Sequence, residues 1–222
     1  MCRGNGRLEE SRISCRKVKA VRPSIMKIDL HVHTRERSSC ALASADEQIR
    51  AAIAAGLDAI VITDHARLVP RAQMDMLNQR YAPFQVFGGI EVTTEDEDVL
   101  VLGVQDASLE RPGWTYADLH AFVGAQHGFI ALAHPFRYRA SIGLDLDRYR
   151  LDAVEVYSSN TPVAAEEAIR TIATRFRLAL LSNSDAHTAG EIGTHYNLLP
   201  CRPRNERELI AALRSQPLTL HR

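Results

Sequence analysis

Histidine and carboxylate side chains follow several short apolar runs in this sequence of 222 residues. The segment DLHVHT places His31 and His33 two residues apart, and because strand side chains alternate, both imidazoles lie on one face. The same residue types end four later apolar runs: TDH (63–65), GGIE (88–91), AHP (133–135) and SNSDAH (182–187). Two imidazoles on one buried face need a shared partner, which a divalent cation supplies. We expect Asp29 on that face too, orienting one imidazole by accepting its second N–H.

The carboxylates indicate which metal such a site would take. Imidazole combined with carboxylate suits Zn, Mn or Fe better than Ca or Mg. One carboxylate can also bridge two metals about 3.5–4 Å apart, as two-metal hydrolytic sites require. A single histidine at a strand end is more often a hydrogen-bonded structural residue, so the prediction depends on the five segments together.

The chain alternates short apolar runs with longer helical patterns, which predicts βα units and a mostly parallel sheet. Seven strands are predicted at 28–32, 57–63, 84–92, 98–104, 128–134, 151–157 and 177–183, and the third and fourth are close enough to form a hairpin. Helices are predicted at 45–56, 116–128, 161–176 and 205–217, the third with Thr161 as N-cap and Pro162 at its first position. A small barrel and an open sheet both fit this pattern. In a barrel the carboxyl ends of the strands meet on one face, where the polar residues would gather.

Composition limits the class of protein. The chain has 27 basic and 27 acidic residues, whereas a protein that coats nucleic acid or membranes is usually basic. Residues 1–25 hold seven basic and two acidic residues with little apolar periodicity, and we interpret them as a poorly ordered tail. A nucleic-acid-binding arm is the alternative. A single folded domain is predicted over 26–222, and Met26 is also a candidate start of the chain.

The cysteines and the apolar runs point to an ordinary cytoplasmic protein. None of the four cysteines forms a CxxC pair, so neither a disulfide framework nor a thiolate zinc site is expected. No apolar run approaches the roughly 20 residues of a membrane span.

The segments DLHVHT, TDH, GGIEVT, AHP and NSDAHT, in this order, resemble the motifs of the PHP family (polymerase and histidinol phosphatase domains). The resemblance covers about residues 26–222. It implies a distorted (β/α)7 TIM-like barrel, two to three divalent metal ions (Mn, Zn or Fe) at the carboxyl ends of the strands, and phosphoester hydrolysis.

The same resemblance implies a role for individual residues. His31, His33 and Asp185 would bind the first metal, Glu91 would bridge the first and second, and His134 would bind the second. His65 and His187 would bind a third.

Two departures from the family pattern concern the ligands. Many relatives have a further His or Asp shortly after HxHT, but here that stretch reads RERSSC, in which Ser38, Ser39 and Cys40 are at best weak ligands unless Cys40 ionises. Relatives often carry a histidine where this chain has Asp98. Asp98 is a candidate ligand of the second metal that would favour Mn. The alternative is a solvated turn residue, and the sequence favours neither.

Catalytic and substrate-binding groups are predicted from the same strand ends. A metal pair would activate water, with His187 or His65 protonating the leaving group and Asp64 as a further catalytic candidate. Arginine forks suit phosphate oxygens, so Arg35, Arg67 and Arg137 are candidate substrate ligands, as is Asn160 at another strand end.

These interpretations together predict a metal-dependent phosphoesterase that hydrolyses a phosphomonoester of a small metabolite or nucleotide. The sequence leaves two alternatives open: a 5′-end nuclease or phosphodiesterase acting on short nucleic acid, and a non-catalytic module stabilised by metal. A small phosphorylated substrate is favoured over nucleic acid because the barrel region has no basic run. No membrane partner is expected, and the oligomeric state is left open.

Overall fold

A computed structural model describes residues 25–95 and 97–222. Nine strands and five α-helices are present in this part of the chain. The strands are β1 (Met26–Val32), β2 (Ala59–Ile62), β3 (Gln85–Thr93), β4 (Asp98–Leu102), β5 (Phe129–Leu132), β6 (Ala153–Tyr157), β7 (Ala179–Ser182), β8 (Tyr196–Leu199) and β9 (Thr219–His221). The helices are α1 (Ala45–Ala54), α2 (Arg71–Tyr81), α3 (Tyr116–Ala125), α4 (Glu166–Phe176) and α5 (Glu206–Ser215), with 3₁₀ turns at Ala107–Glu110 and Val163–Ala165.

The strands form one sheet in the order β7-β6-β5-β4-β3-β2-β1-β8-β9. Strands β1 to β3 run parallel to one another, as do β5 to β7, while β4 runs antiparallel to both of its neighbours. The predicted hairpin of the third and fourth strands is therefore confirmed. Because β4 is reversed, its first residue, Asp98, lies at the same end of the sheet as the last residues of the parallel strands.

The sheet closes between β7 on one edge and β1 and β8 on the other, through a backbone hydrogen bond and several side-chain hydrogen bonds. His33 N–H donates to the Ala186 carbonyl (2.9 Å), and the buried Asn197 side chain bonds both the N–H (3.0 Å) and the carbonyl (2.8 Å) of Ser182. Leu30 N–H donates to the Asn183 side chain (3.2 Å). The result is a nearly closed seven-stranded barrel, which confirms the predicted distorted (β/α)7 fold, with β8 and β9 added beside β1.

The barrel has an inner and an outer apolar layer. The inner cluster joins side chains of β1, β4, β5 and β7 to Leu209 and Leu213 of α5. Helix α5 packs beneath the barrel, since Arg214 reaches the Gly128 carbonyl just before β5 begins. The opposite end, where the parallel strands finish, is thus left for polar side chains.

A β-bulge between Asp29 and Val32 changes which face of β1 points inward. Leu30 packs in the inner cluster, whereas Val32 packs outside with Ile49 of α1. His31 and His33 therefore point into the barrel, but Asp29 does not share their face. The expectation that simple alternation would group all three is wrong because the bulge inserts a residue between them.

Several predicted elements need correction. Residues 71–81, for which no helix was predicted, form α2. This helix has no side-chain N-cap and buries only Met74 and Leu77, so its sequence signal is weak. Strands β8 and β9 were also not predicted. The third predicted helix starts later: residues 163–165 form a 3₁₀ turn, and Thr161 bonds Ser158 (2.9 Å) instead of capping a helix.

No helix of the described residues has the length and apolar character needed to cross a membrane. Residues 1–24, and with them nearly all of the predicted basic tail, lie outside the described part of the chain.

Candidate metal centre

Four side chains from three strand ends converge at the mouth of the barrel. The Nε2 atoms of His31 and His33 lie 2.9 Å apart. Each of them is 3.2–3.3 Å from Glu91 Oε2 and from Asp185 Oδ1. All four side chains are buried. The segments DLHVHT, GGIE and SNSDAH are thus brought to one point.

The hydrogen bonds behind the two imidazoles assign their tautomers. His31 Nδ1 donates to Glu155 Oε1 (2.9 Å). His33 Nδ1 donates to Ser38 Oγ (3.2 Å), whose own proton goes to Asp64 Oδ1 (2.8 Å). Each Nδ1 therefore carries the ring hydrogen, and each Nε2 presents a lone pair to the other three atoms.

Four acceptor atoms cannot satisfy one another without a cation or an added proton. Glu91 Oε2 and Asp185 Oδ1 have no hydrogen-bond donor among the described residues, although both are buried. Tetrahedral ligands about 2.0–2.1 Å from a metal are separated from one another by about 3.3–3.4 Å. The separations in this centre are close to that, so the donor set fits a divalent ion.

The electrostatics agree with this interpretation. Burial lowers the pKa of His31, but the carboxylates of Asp185, Glu155 and Glu91 outweigh burial and raise it well above its ordinary value. Burial raises the pKa of Asp185, but the imidazoles of His31 and His33 outweigh burial and hold it well below its usual range. The carboxylates thus stay ionised and attract positive charge to this point.

A second cluster lies on the other side of Glu91. His134 Nε2 is 3.0 Å from Glu91 Oε1 and 4.0 Å from Asp98 Oδ2. The two oxygens of Glu91 thus face different clusters, which is the geometry of a bridging carboxylate. Asp98 also accepts a hydrogen bond from Thr93 (2.6 Å). Its position beside His134 favours the interpretation as a ligand over that as a solvated turn residue.

Three imidazoles form a third cluster. The rings of His65 and His187 each lie 4.4 Å from the ring of His33, and His65 Nδ1 is 3.0 Å from Glu91 Oε2. Burial and the neighbouring His33 lower the pKa of His187. Burial raises the pKa of the Cys40 thiol, and Cys40 is not among the residues whose ligand atoms come together in this cluster. The third cluster shares Glu91 and gains no carboxylate from that segment.

Glu155 connects the first two clusters and was not singled out from the sequence. Its Oε1 accepts from His31 Nδ1 and from Asn183 Nδ2 (2.7 Å), and its Oε2 accepts from the backbone N–H of His134 (2.8 Å). Glu155 is completely buried. A carboxylate in the middle of the apolar run LDAVEVY is the signal that could have identified it, because a buried charge requires partners.

Backbone strain is concentrated at the same end of the barrel. His134 has φ 25° and Asp185 has φ 53°, conformations that cost a residue other than glycine about 1–3 kcal/mol. The hydrogen bond from His134 N–H to Glu155 helps to hold the first of these conformations. Strained residues in this arrangement indicate a site built for function rather than for stability.

Two predicted carboxylates are held by hydrogen bonds from backbone N–H groups and hydroxyls. Asp29 accepts from the backbone N–H groups of His31 (3.2 Å) and Ser184 (3.1 Å) and from the Ser184 hydroxyl, so it fixes the junction of β1 and β7 and orients no imidazole. Asp64 accepts from Thr34 N–H and Oγ1 (2.6 Å each) and from Ser38. With its oxygens occupied in this way, Asp64 positions His33 through Ser38, and a catalytic role for Asp64 stays a prediction.

The predicted substrate ligands are separated into two groups by the structure. Arg35 pairs with Glu47 (3.1 Å) and Arg67 with Glu110 (3.3 Å), each through Nη1. Substrate binding by these two arginines stays a prediction.

Arg137 and Asn160, in contrast, reach the centre. Arg137 Nη1 is 3.8 Å and Asn160 Nδ2 is 2.6 Å from Asp185 Oδ2. They hold the outer oxygen of Asp185 and leave Oδ1 facing the histidines. Substrate binding by either residue stays a prediction.

Comparison with known proteins places this arrangement among the PHP-like folds. The PHP-associated family matches residues 165–216, from the start of α4 to just beyond α5. No curated protein matches the sequence.

Three solved structures are similar over most of the chain. PsfC from Pseudomonas syringae has 22% sequence identity and a TM-score of 0.69, and the match covers 88% of this chain and 91% of PsfC. A two-domain protein from Bacteroides vulgatus, which contains a predicted PHP-like metal-dependent phosphoesterase, has 16% identity and a TM-score of 0.67, with 89% of this chain and 65% of that chain covered. A lesion-specific endonuclease from Pyrococcus furiosus has 16% identity and a TM-score of 0.63, with 89% of this chain and 58% of that chain covered. The resemblance to the PHP family and the barrel fold that it implies are confirmed.

Proposed function

We propose that this protein is a metal-dependent phosphoesterase that hydrolyses a phosphomonoester of a small metabolite or nucleotide. The observation that carries the proposal is the convergence of four buried acceptor atoms, from His31, His33, Glu91 and Asp185, with a second cluster across the same glutamate. The Bacteroides vulgatus neighbour, whose fold is similar, contains a predicted phosphoesterase of this kind. Two divalent ions sharing a carboxylate are suited to phosphoryl chemistry.

The chain's own residues would divide the work in the following way. Metal ions held by the first two clusters would supply a water of low pKa and neutralise charge on the phosphoryl oxygens. Glu155 and Ser38 keep both ligand imidazoles in the tautomer that presents Nε2. Arg137, whose Nη1 lies 3.8 Å from Asp185 Oδ2, would bind a phosphoryl oxygen that projects from the centre.

The leaving group requires a proton, and His187 is the better placed donor of the two predicted. Its Nδ1 donates to the Asp185 carbonyl (2.9 Å), so Nε2 would first take up a proton from solvent, which a side chain about one-fifth exposed permits, and then pass that proton to the leaving group. His65 is instead 3.0 Å from the bridging Glu91. His187 cannot act as proton donor and as ligand of a third metal at the same time.

The proposal is tested with purified protein loaded with Mn²⁺ or Zn²⁺ and a panel of mononucleotides, nucleoside bisphosphates and sugar phosphates. We expect phosphate release from at least one of them, and Glu91→Gln should lower it by more than about 100-fold because both clusters lose their shared charge. Glu167→Gln, which alters an exposed glutamate on α4, is the matched control. A metal-replete protein inert on the whole panel refutes the phosphomonoesterase proposal.

A nuclease or phosphodiesterase acting on 5′ ends is the second candidate, supported by the fold similarity to the Pyrococcus furiosus endonuclease and by the basic residues among the first 25. Removal of residues 1–25 should then weaken turnover of oligonucleotides and reduce its salt dependence. Unchanged turnover after truncation excludes a nucleic-acid-binding arm. Less than one bound metal per chain would instead favour a non-catalytic module.

A further inference from the structure

A small open cavity adjoins the second cluster. Its volume is about 220 Å³, and its lining includes His134 and Asp98 from the centre together with Arg137, Tyr138 and Arg139 from the loop after β5. A cavity of roughly 150 Å³ holds one benzene ring. This cavity is therefore large enough for one ring attached to a phosphate at the metal end.

The side chain of Tyr138 is unusually exposed for a large aromatic residue. The residue is 73% exposed, although a tyrosine normally buries much of its apolar ring. Its ring lies 6.4 Å from that of His134, at a near-perpendicular angle, and the Arg137 guanidinium lies 4.9 Å from its centroid. The ring is thus held beside the centre by Arg137 while much of its surface stays open.

Arg137 links this tyrosine to the reacting end. Its Nη1 is 3.8 Å from Asp185 Oδ2, so the same side chain reaches the metal-binding carboxylate and the tyrosine ring. A substrate whose phosphoryl group binds at the metals would direct its leaving group across Arg137 toward Tyr138.

We propose that Tyr138 is a specificity-determining residue that stacks on a planar aromatic group in the leaving group of the substrate. The proposal rests on the phosphoesterase function and narrows its substrate class to phosphomonoesters of alcohols that carry an aromatic or heteroaromatic ring, nucleotides among them. Stacking on an open tyrosine favours any flat π system, because it depends on the ring faces rather than on particular hydrogen bonds. The neighbouring Arg137 adds attraction for the same flat groups.

Two phosphates differing only in ring type test this inference. Benzyl phosphate and cyclohexylmethyl phosphate are both esters of primary alcohols with similar leaving groups, but only the first is planar and aromatic. We expect Tyr138→Ala to lower kcat/KM for benzyl phosphate about 10-fold, chiefly through KM, and to change that for cyclohexylmethyl phosphate less than about twofold. Tyr138→Phe should retain the wild-type preference because it keeps the ring.

The controls separate failure of this inference from failure of the proposed function. Leu42→Ala shortens another exposed apolar side chain and keeps the backbone N–H that donates to the His187 carbonyl. This variant should leave kcat/KM unchanged for both phosphates. Equal losses on the two phosphates, or no loss on either, overturn the stacking role while the phosphatase activity stands. If wild-type protein with metal hydrolyses neither of these nor any other phosphomonoester, both proposals fail.

Discussion

Replacement of Glu155 tests how the protein holds its two ligand clusters together. In Glu155→Gln the amide oxygen can still accept from His31 and Asn183, but the NH₂ group then faces the backbone N–H of His134. If the amide is rotated by 180°, its NH₂ group faces the donors of His31 and Asn183 instead. At least one buried donor therefore loses its acceptor in either orientation.

The size of the effect follows from these contacts. One unsatisfied buried donor costs about 1–3 kcal/mol, which in a domain of this size lowers Tm by about 2–12 °C. Glu155→Ala leaves three donors without their acceptor, so the cost of about 3–9 kcal/mol is comparable with the whole stability of an ordinary domain. The glutamine variant is consequently the informative one, and the alanine variant is expected to accumulate poorly.

Metal affinity measures the functional part of the change. Loss of a group that orients a metal ligand typically weakens binding about 10–100-fold. Titration of metal-free Glu155→Gln with Mn²⁺ or Zn²⁺, in competition with a chelator, should show this loss, while Glu167→Gln binds as wild type does. Wild-type affinity at every site in Glu155→Gln would refute the role assigned to Glu155, even if its Tm fell.

Three further predictions concern the support, the closure and the rim of the site. Ser38→Ala removes the hydroxyl between Asp64 and His33, and metal titration should show affinity about 10-fold weaker; unchanged affinity contradicts the assigned tautomer. Asn197→Ala leaves the buried N–H and carbonyl of Ser182 without partners, and thermal unfolding should show a loss of about 2–4 kcal/mol, whereas a loss below about 0.5 kcal/mol means that the side chain does not close the barrel. Arg137→Ala should raise KM for phosphomonoesters about 10-fold or more in steady-state assays, and an unchanged KM excludes phosphate binding by this residue.

The metal centre was largely predictable from the sequence because its chemistry is carried by residue types that apolar strands rarely tolerate. His31, His33, Glu91, His134 and Asp185 all stand at the ends of such runs, and the structure brings them together. Asp98 was left undecided, and the reversal of β4 explains its position: the first residue of an antiparallel strand lies beside the last residues of its neighbours.

The sequence did not predict how the carboxylates of Asp29 and Asp64 are oriented or which groups they contact. The bulge in β1, which separates Asp29 from the face of His31, leaves no local sequence signal, since it depends on how β1 pairs with β2. Only the fold shows that Thr34 and Ser38 occupy the oxygens of Asp64. Partners distant in sequence decide which oxygens of a carboxylate remain available.

Elements with weak local patterns were missed for a related reason. Helix α2 lacks a capping side chain, and β8 and β9 are short strands of four and three residues that become regular by pairing beside β1. The role of Ser38 is a further case. The sequence suggested Ser38 only as a weak metal ligand, whereas its hydroxyl accepts a hydrogen bond from His33 Nδ1 and orients that imidazole.

The most direct test of the metal centre is an anomalous diffraction measurement on crystals of the Mn²⁺-loaded protein at the manganese absorption edge. We predict one peak coordinated by His31 Nε2, His33 Nε2, Glu91 and Asp185, and a second beside His134, about 3.5–4 Å from the first across Glu91. Absence of any anomalous peak among the four convergent atoms, in protein saturated with metal, would contradict the central claim that they form a metal site.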